Sequence, residues 1–159
     1  MDTTHPRTID RWLGSYSEDH RNPTNQIIHL VCVPLILWSV LAVLWTIPVP
    51  QMLGRPGLWA GMAMFLSLLY YWRLSRPLGL GMLVVYIVLG LVTHTLSGLL
   101  GMMWLLWLAL GVFVIAWIGQ FIGHMIEGRR PSFLTDLQYL LIGPLWTLSK
   151  LFRVVRIRW

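Results

Sequence analysis

Charge is scarce in this sequence. Only 11% of its 159 residues are Asp, Glu, Lys or Arg, against about 25% in a soluble domain. That excludes a soluble globular enzyme, and the 57% hydrophobic content excludes a disordered chain. Acidic residues are scarcest: six in all, with none between Asp19 and Glu127. A proton-coupled transporter usually needs a carboxylate inside the membrane, so that class is disfavoured too. The one cysteine, Cys32, lies in an apolar run. It can make no internal disulfide and no paired-cysteine metal site, and it reads as a small buried hydrophobe. Residues 1–25 hold no apolar core, so no cleavable signal peptide is expected there.

What the chain does have is long apolar runs. One crossing takes about 20 apolar residues at 1.5 Å rise. The runs fall at 26–47, closed by Pro48 and Pro50; at 57–72, ending on the interfacial aromatics Tyr70, Tyr71 and Trp72; at 78–98; and at 99–122. The last two are so close that they form a hairpin. A fifth run, 133–152, is broken by Asp136, Gln138 and the pair Gly143-Pro144. The predicted fold is all-α: a polytopic membrane bundle of four transmembrane helices in a single domain, with a C-terminal re-entrant or interfacial helix.

Orientation follows from the basic residues. Of the 12 Lys+Arg, one side holds Arg7, Arg11, Arg21, Arg73, Arg76, Arg129, Arg130, Lys150, Arg153, Arg156 and Arg158, and the other holds Arg55. Both termini are therefore predicted cytoplasmic. A crossing by the fifth run would move four cations to the far side. The net charge of +6 thus reflects topology and anionic headgroups rather than nucleic acid. An integral, multi-pass location is expected, in a bacterial inner membrane or, for a eukaryotic source, the endoplasmic reticulum. Two small-residue pairs, Gly57-x-x-x-Gly61 and Gly119-x-x-x-Gly123, could let helices approach closely, within the chain or between copies in a homo-oligomer.

Polar groups in or beside a span are expensive and call for a reason. Two clusters stand out. In the first, Asn22 followed by Pro23 reads as a helix cap with proline at the first helical position. Asn25 and His29, four apart, share a face, and His20 precedes the cap. In the second, Gln120, His124 and Glu127 are spaced four then three along one helical stripe. The topology puts His20, His29 and His124 at one depth on one side. Neutral imidazole is the commonest metal ligand, and histidine with carboxylate suits non-haem iron. Asn25 and Gln120 could orient the imidazoles or bind a substrate headgroup. Glu127 could be a ligand, an acceptor behind a ligand, or the partner of Arg129 or Arg130. His94 lies near the far end of the third span, roughly 25 Å of helix rise away, and His5 lies in the polar terminus. Two rival readings are a bis-histidine haem protein using His29 and His124, and a non-catalytic membrane scaffold.

The string Tyr16-x-x-x-His20-x-Asn22-Pro23-x-Asn25-x-x-Ile28-His29, with Pro34 following, resembles the opening motif of the fungal and bacterial 2-hydroxy fatty acid dioxygenase family, the Mpo-type membrane proteins. Trp117-Ile118-x-Gln120-Phe121-x-Gly123-His124, then Glu127 and Arg129-Arg130-Pro131, is similar to its second motif. The resemblance implies an iron(II)-dependent alpha-oxidation in which a 2-hydroxy fatty acid reacts with dioxygen and loses one carbon. It implies that His20, His29 and His124 hold the iron. Arg129, Arg130 or Arg21 would then pair with the substrate carboxylate, and the acyl tail would lie between the spans.

Overall fold

The computed structural model describes residues 7–128 and 140–157, and among these the chain forms six helices and no strand. They are α1 (Thr8–Asp19), α2 (Pro23–Thr46), α3 (Leu58–Leu74), α4 (Arg76–Leu100), α5 (Met102–Glu127) and α6 (Ile142–Val154). The all-helical class is as expected. Helices α2, α4 and α5 are long and apolar enough to cross a membrane. α3, at 17 residues, falls short of the usual crossing length of about 20. Large apolar side chains face outward: Phe65, Leu91 and Ile115 are 61%, 62% and 71% exposed. An oily exterior of this extent suits lipid rather than water.

Local chemistry sets the helix ends. Asn22 caps α2, its side chain accepting from the Thr24 amide at 2.9 Å, with Pro23 in the first turn. This agrees with the sequence. Gly101 alone separates α4 from α5, at φ 81° and ψ 163°, a region that side chains other than hydrogen disfavour. The hairpin is therefore real, with its turn two residues later than the runs suggested. Yet the main partner of α5 is α2, not α4. α2 is the central helix: it packs on α3, α5 and α6. Inside the bundle, Trp38 Nε1 of α2 donates to Thr93 Oγ1 of α4 at 3.1 Å, and Thr93 Oγ1 in turn donates to the Leu89 carbonyl.

Several expectations need correcting. The N-terminal segment is not merely a polar lead-in. Residues Thr8–Asp19 form a helix whose face Ile9, Leu13 and Tyr16 is buried. That four-then-three spacing was present but diluted by charge. Among the described residues the fifth run forms the helix Ile142–Val154, and residues 133–139 lie outside the described residues. Gly143-Pro144 opens that helix instead of breaking it, because proline lacks only an N–H that the first turn cannot bond internally. Gly57 and Gly61 do not form one helix face: Gly57 is the residue before α3, at φ 91°, where a Cβ would stand 2.9 Å from the Trp45 ring, and Gly61 has nothing within 4 Å.

The second glycine pair does pack, but within the chain. A Cβ on Gly119 would stand 2.8 Å from Cys32 Sγ, and one on Gly123 would collide with Asn25 Oδ1. The small face of α5 is thus filled by α2 of the same molecule. Gly123→Ala is expected to destabilise the protein by about 1–3 kcal/mol, as overpacking does. Gly61→Ala, with open space around it, should change stability by less than about 1 kcal/mol. Unfolding midpoints of the two purified variants in detergent make the comparison.

Candidate metal centre

Three separate pieces of chain bring their histidines to one place. α1 stops at Asp19, and His20 leaves it at φ −130° and ψ 70°. Only Arg21 and Asn22 follow before α2 begins, so the chain turns back sharply and lays His20 against the start of α2. His29 lies in the second turn of α2, and His124 in the last turn of α5. The two helices run antiparallel, and their close approach at Gly119 and Gly123 sets His29 opposite His124.

The rings meet. Centroid separations are 4.2 Å for His20–His29, 5.0 Å for His29–His124 and 5.3 Å for His20–His124. One ligand nitrogen from each ring lies within 4.8 Å of the others. All three are buried, at 2%, 1% and 7% exposure. His20 Nδ1 lies 2.7 Å from the Tyr16 carbonyl oxygen, and His29 Nδ1 lies 3.1 Å from that of Asn25. A carbonyl can only accept, so each Nδ1 carries the proton and each Nε2 presents a lone pair. This is how a metal-binding imidazole is usually oriented from behind. Three neutral nitrogen donors fit iron, zinc, copper or nickel. His94 is elsewhere, its ring 6.1 Å from Trp45.

Aromatic rings cover the cluster. Tyr16 stacks on His20 at 4.2 Å with a 12° tilt, and Trp146 of α6 stands 5.7 Å from His20. Trp146 Nε1 donates to Ser17 Oγ at 2.9 Å, tying α6 to α1. Gln26 Nε2 donates to the His20 carbonyl at 2.7 Å, and its oxygen accepts from Lys150 Nζ. The Lys150 ammonium also sits 4.3 Å over the Trp146 ring. Burial pushes its pKa down, with repulsion from Arg153 adding to the effect.

Glu127 closes the other side. Its carboxylate accepts from the Arg21 amide at 3.0 Å, from the Asn22 amide at 2.9 Å and from Asn25 Nδ2 at 3.1 Å. It therefore clamps the end of α5 onto the start of α2. Of the roles open to it in the sequence, the described contacts are those of an acceptor behind the histidine cluster. Asn25 orients His29 through its backbone carbonyl, while its side-chain NH₂ donates to Glu127. Gln120, one turn before His124, lines a cavity discussed below. Arg129 and Arg130 lie outside the described residues, as do His5 and Arg158. Sequence reasoning missed Trp146, Gln26 and Lys150. Tyr16 opens the first motif four residues before His20, a helical spacing that fits its stack on that ring, but no local signal marks Trp146.

Glu127→Ala removes one acceptor from three donors. An estimate of about 1–2 kcal/mol lost follows from charge-assisted hydrogen bonds at a partly solvated site. Glu127→Gln should retain part of that. Chemical unfolding of both variants in detergent is the measurement, and no loss in either would remove the clamp.

The sequence comparisons agree with one another. The family model described as 2-hydroxy-palmitic acid dioxygenase Mpo1-like matches residues 7–155. The chain is 35% identical over 136 residues to the 2-hydroxy-palmitic acid dioxygenase MPO1 of Saccharomyces cerevisiae, covering 83% of this chain and 72% of that protein. No solved structure matches it. All of the histidine cluster lies inside the matched region, and the chain belongs to the Mpo1-like family.

Proposed function

We propose that the protein is an iron(II)-dependent dioxygenase that carries out alpha-oxidation of 2-hydroxy fatty acids at a membrane. The observation that carries this reading is the meeting of three buried imidazoles in a chain of the Mpo1-like family. The donor set alone admits several first-row metals. Dioxygen chemistry narrows the choice to a redox-active one, and iron is the one proposed. Bound to His20, His29 and His124, it would supply the one-electron steps that dioxygen needs to react with a closed-shell acid.

The stoichiometry closes without a further reductant. RCH(OH)COOH plus O₂ gives RCOOH, CO₂ and H₂O, and the two carbons lose together the electrons that dioxygen gains. The protein's part is to position and exclude. The Tyr16 and Asn25 carbonyls fix which nitrogen of His20 and His29 faces inward. Tyr16 and Trp146 keep bulk water off His20. Glu127 holds the ends of α2 and α5 in register.

The proposed setting is a bilayer crossed by α2, α3, α4 and α5, with both termini on the cytoplasmic side. α3, with 17 residues, is at the lower limit for a crossing, and the one-sided distribution of Lys and Arg supports the orientation. The metal cluster then lies at the cytoplasmic headgroup level, where an amphiphile keeps its carboxylate, and the acyl chain stays among apolar helices.

The test is direct. Protein purified in detergent is assayed for bound metal and incubated with 2-hydroxypalmitate, iron(II) and oxygen. The expected product is the acid one carbon shorter, formed with equal consumption of substrate and dioxygen. His124→Ala should lose bound iron and reduce turnover at least about 100-fold, the scale on which loss of a metal's supporting groups is felt. Full turnover in that variant would remove the histidine cluster from the reaction.

A further inference from the structure

A buried cavity of about 20 Å³ lies one turn from the histidines, between α1, α2, α5 and the start of α6. Val33 and Ile36, on its α2 wall, stand one and two turns beyond His29. Gln120, on its α5 wall, stands one turn before His124. Tyr16, which stacks on His20, lines the side toward the cluster. The space accommodates the centre of about one water-sized group. It suits a hydroxyl or a carboxylate oxygen and is too small for an alkyl chain.

Gln120 is the unusual part of this wall. It is 6% exposed, yet among the described residues its amide makes no hydrogen bond. Buried polar side chains in native proteins are nearly always bonded, and an exception asks for a ligand. Of the other two amides at this end of the molecule, Gln26 is engaged on both sides, with Lys150 and the His20 carbonyl, and Asn25 donates its NH₂ to Glu127. An unengaged primary amide offers both an acceptor oxygen and a donor NH₂. A 2-hydroxy acid presents to the amide oxygen a hydroxyl that donates, a group that the plain acid lacks.

We propose that the Gln120 amide, facing this cavity, is the specificity-determining group that distinguishes a 2-hydroxy fatty acid from the plain acid of equal length. The assignment rests on the dioxygenase reading. The amide oxygen accepts a hydrogen bond from the 2-hydroxyl, the one group that the space holds, while the rest of the acid stays outside it. A plain fatty acid leaves the amide oxygen without that bond. Sites built around such a bond reject the analogue that lacks it far better than apolar pockets reject an extra group.

Binding tests this independently of turnover. Labelled 2-hydroxypalmitate is displaced from the iron-loaded protein in detergent by unlabelled 2-hydroxypalmitate or by palmitate, with bound iron and thermal unfolding recorded for each variant. The parent should prefer the 2-hydroxy acid. Gln120→Leu should retain its iron and lose at least tenfold of that preference, and Gln120→Met, closer in shape, should do the same. If either variant folds, binds iron and prefers the 2-hydroxy acid as strongly as the parent, the role of Gln120 is overturned. A parent with no preference would overturn the dioxygenase reading itself, a separate outcome.

Discussion

The contact between α2 and α5 is the constraint on which the rest depends. Gly119 and Gly123 present no side chain to α2, and Cys32 and Asn25 occupy the space. A larger residue at either place would push the helices apart near their ends, where His29 and His124 face each other. The first and second motifs are far apart along the chain, so no local rule joins them. The small residues do it, by letting two backbones approach. Glu127 then fixes the register, since its carboxylate reaches the first turn of α2 only when α5 ends level with it.

The same geometry separates the rival readings. A haem between His29 and His124 would need room for a flat macrocycle between two axial rings. Here the rings are 5.0 Å apart and His20 stands within 5.3 Å of both. The space that a porphyrin would take is filled by a third imidazole. A scaffold would have no use for three buried, mutually facing imidazoles, each of which forfeits solvation that a leucine would not need. The small-residue face that suggested pairing between copies is covered by the chain's own α2.

Much of this was legible in the sequence, for physical reasons. Apolar run length gave the long helices, because lipid leaves the backbone no other way to bond itself. Asn22-Pro23 announced the start of α2 by the chemistry of its cap. The histidines were found because polar groups stand out in an oily chain. What was not legible depended on third parties. α1 was hidden because its buried face is three residues, Ile9, Leu13 and Tyr16, among charges. Trp146 covers His20 from a helix that carries no marker of that role. Which group of Asn25 serves His29 was not legible, because sequence gives the face of the residue but not whether its carbonyl or its amide is nearest the ring.

The helix ends also set the field at the cluster. α1 and α5 both direct their C-termini toward it: His20 caps α1 and His124 lies in the last turn of α5. Each C-terminus carries a partial negative charge from carbonyls without intrahelical partners. The N-terminus of α2 points there too, with the opposite sign, but the Glu127 carboxylate sits on that positive pole and cancels it. Two negative poles therefore act on the three imidazoles, while the opposing pole is neutralised. A full carboxylate among the ligands is not required for such a place to favour a cation. This accounts for Glu127 lying behind the cluster rather than in it: from there it removes a repulsion and joins two helices.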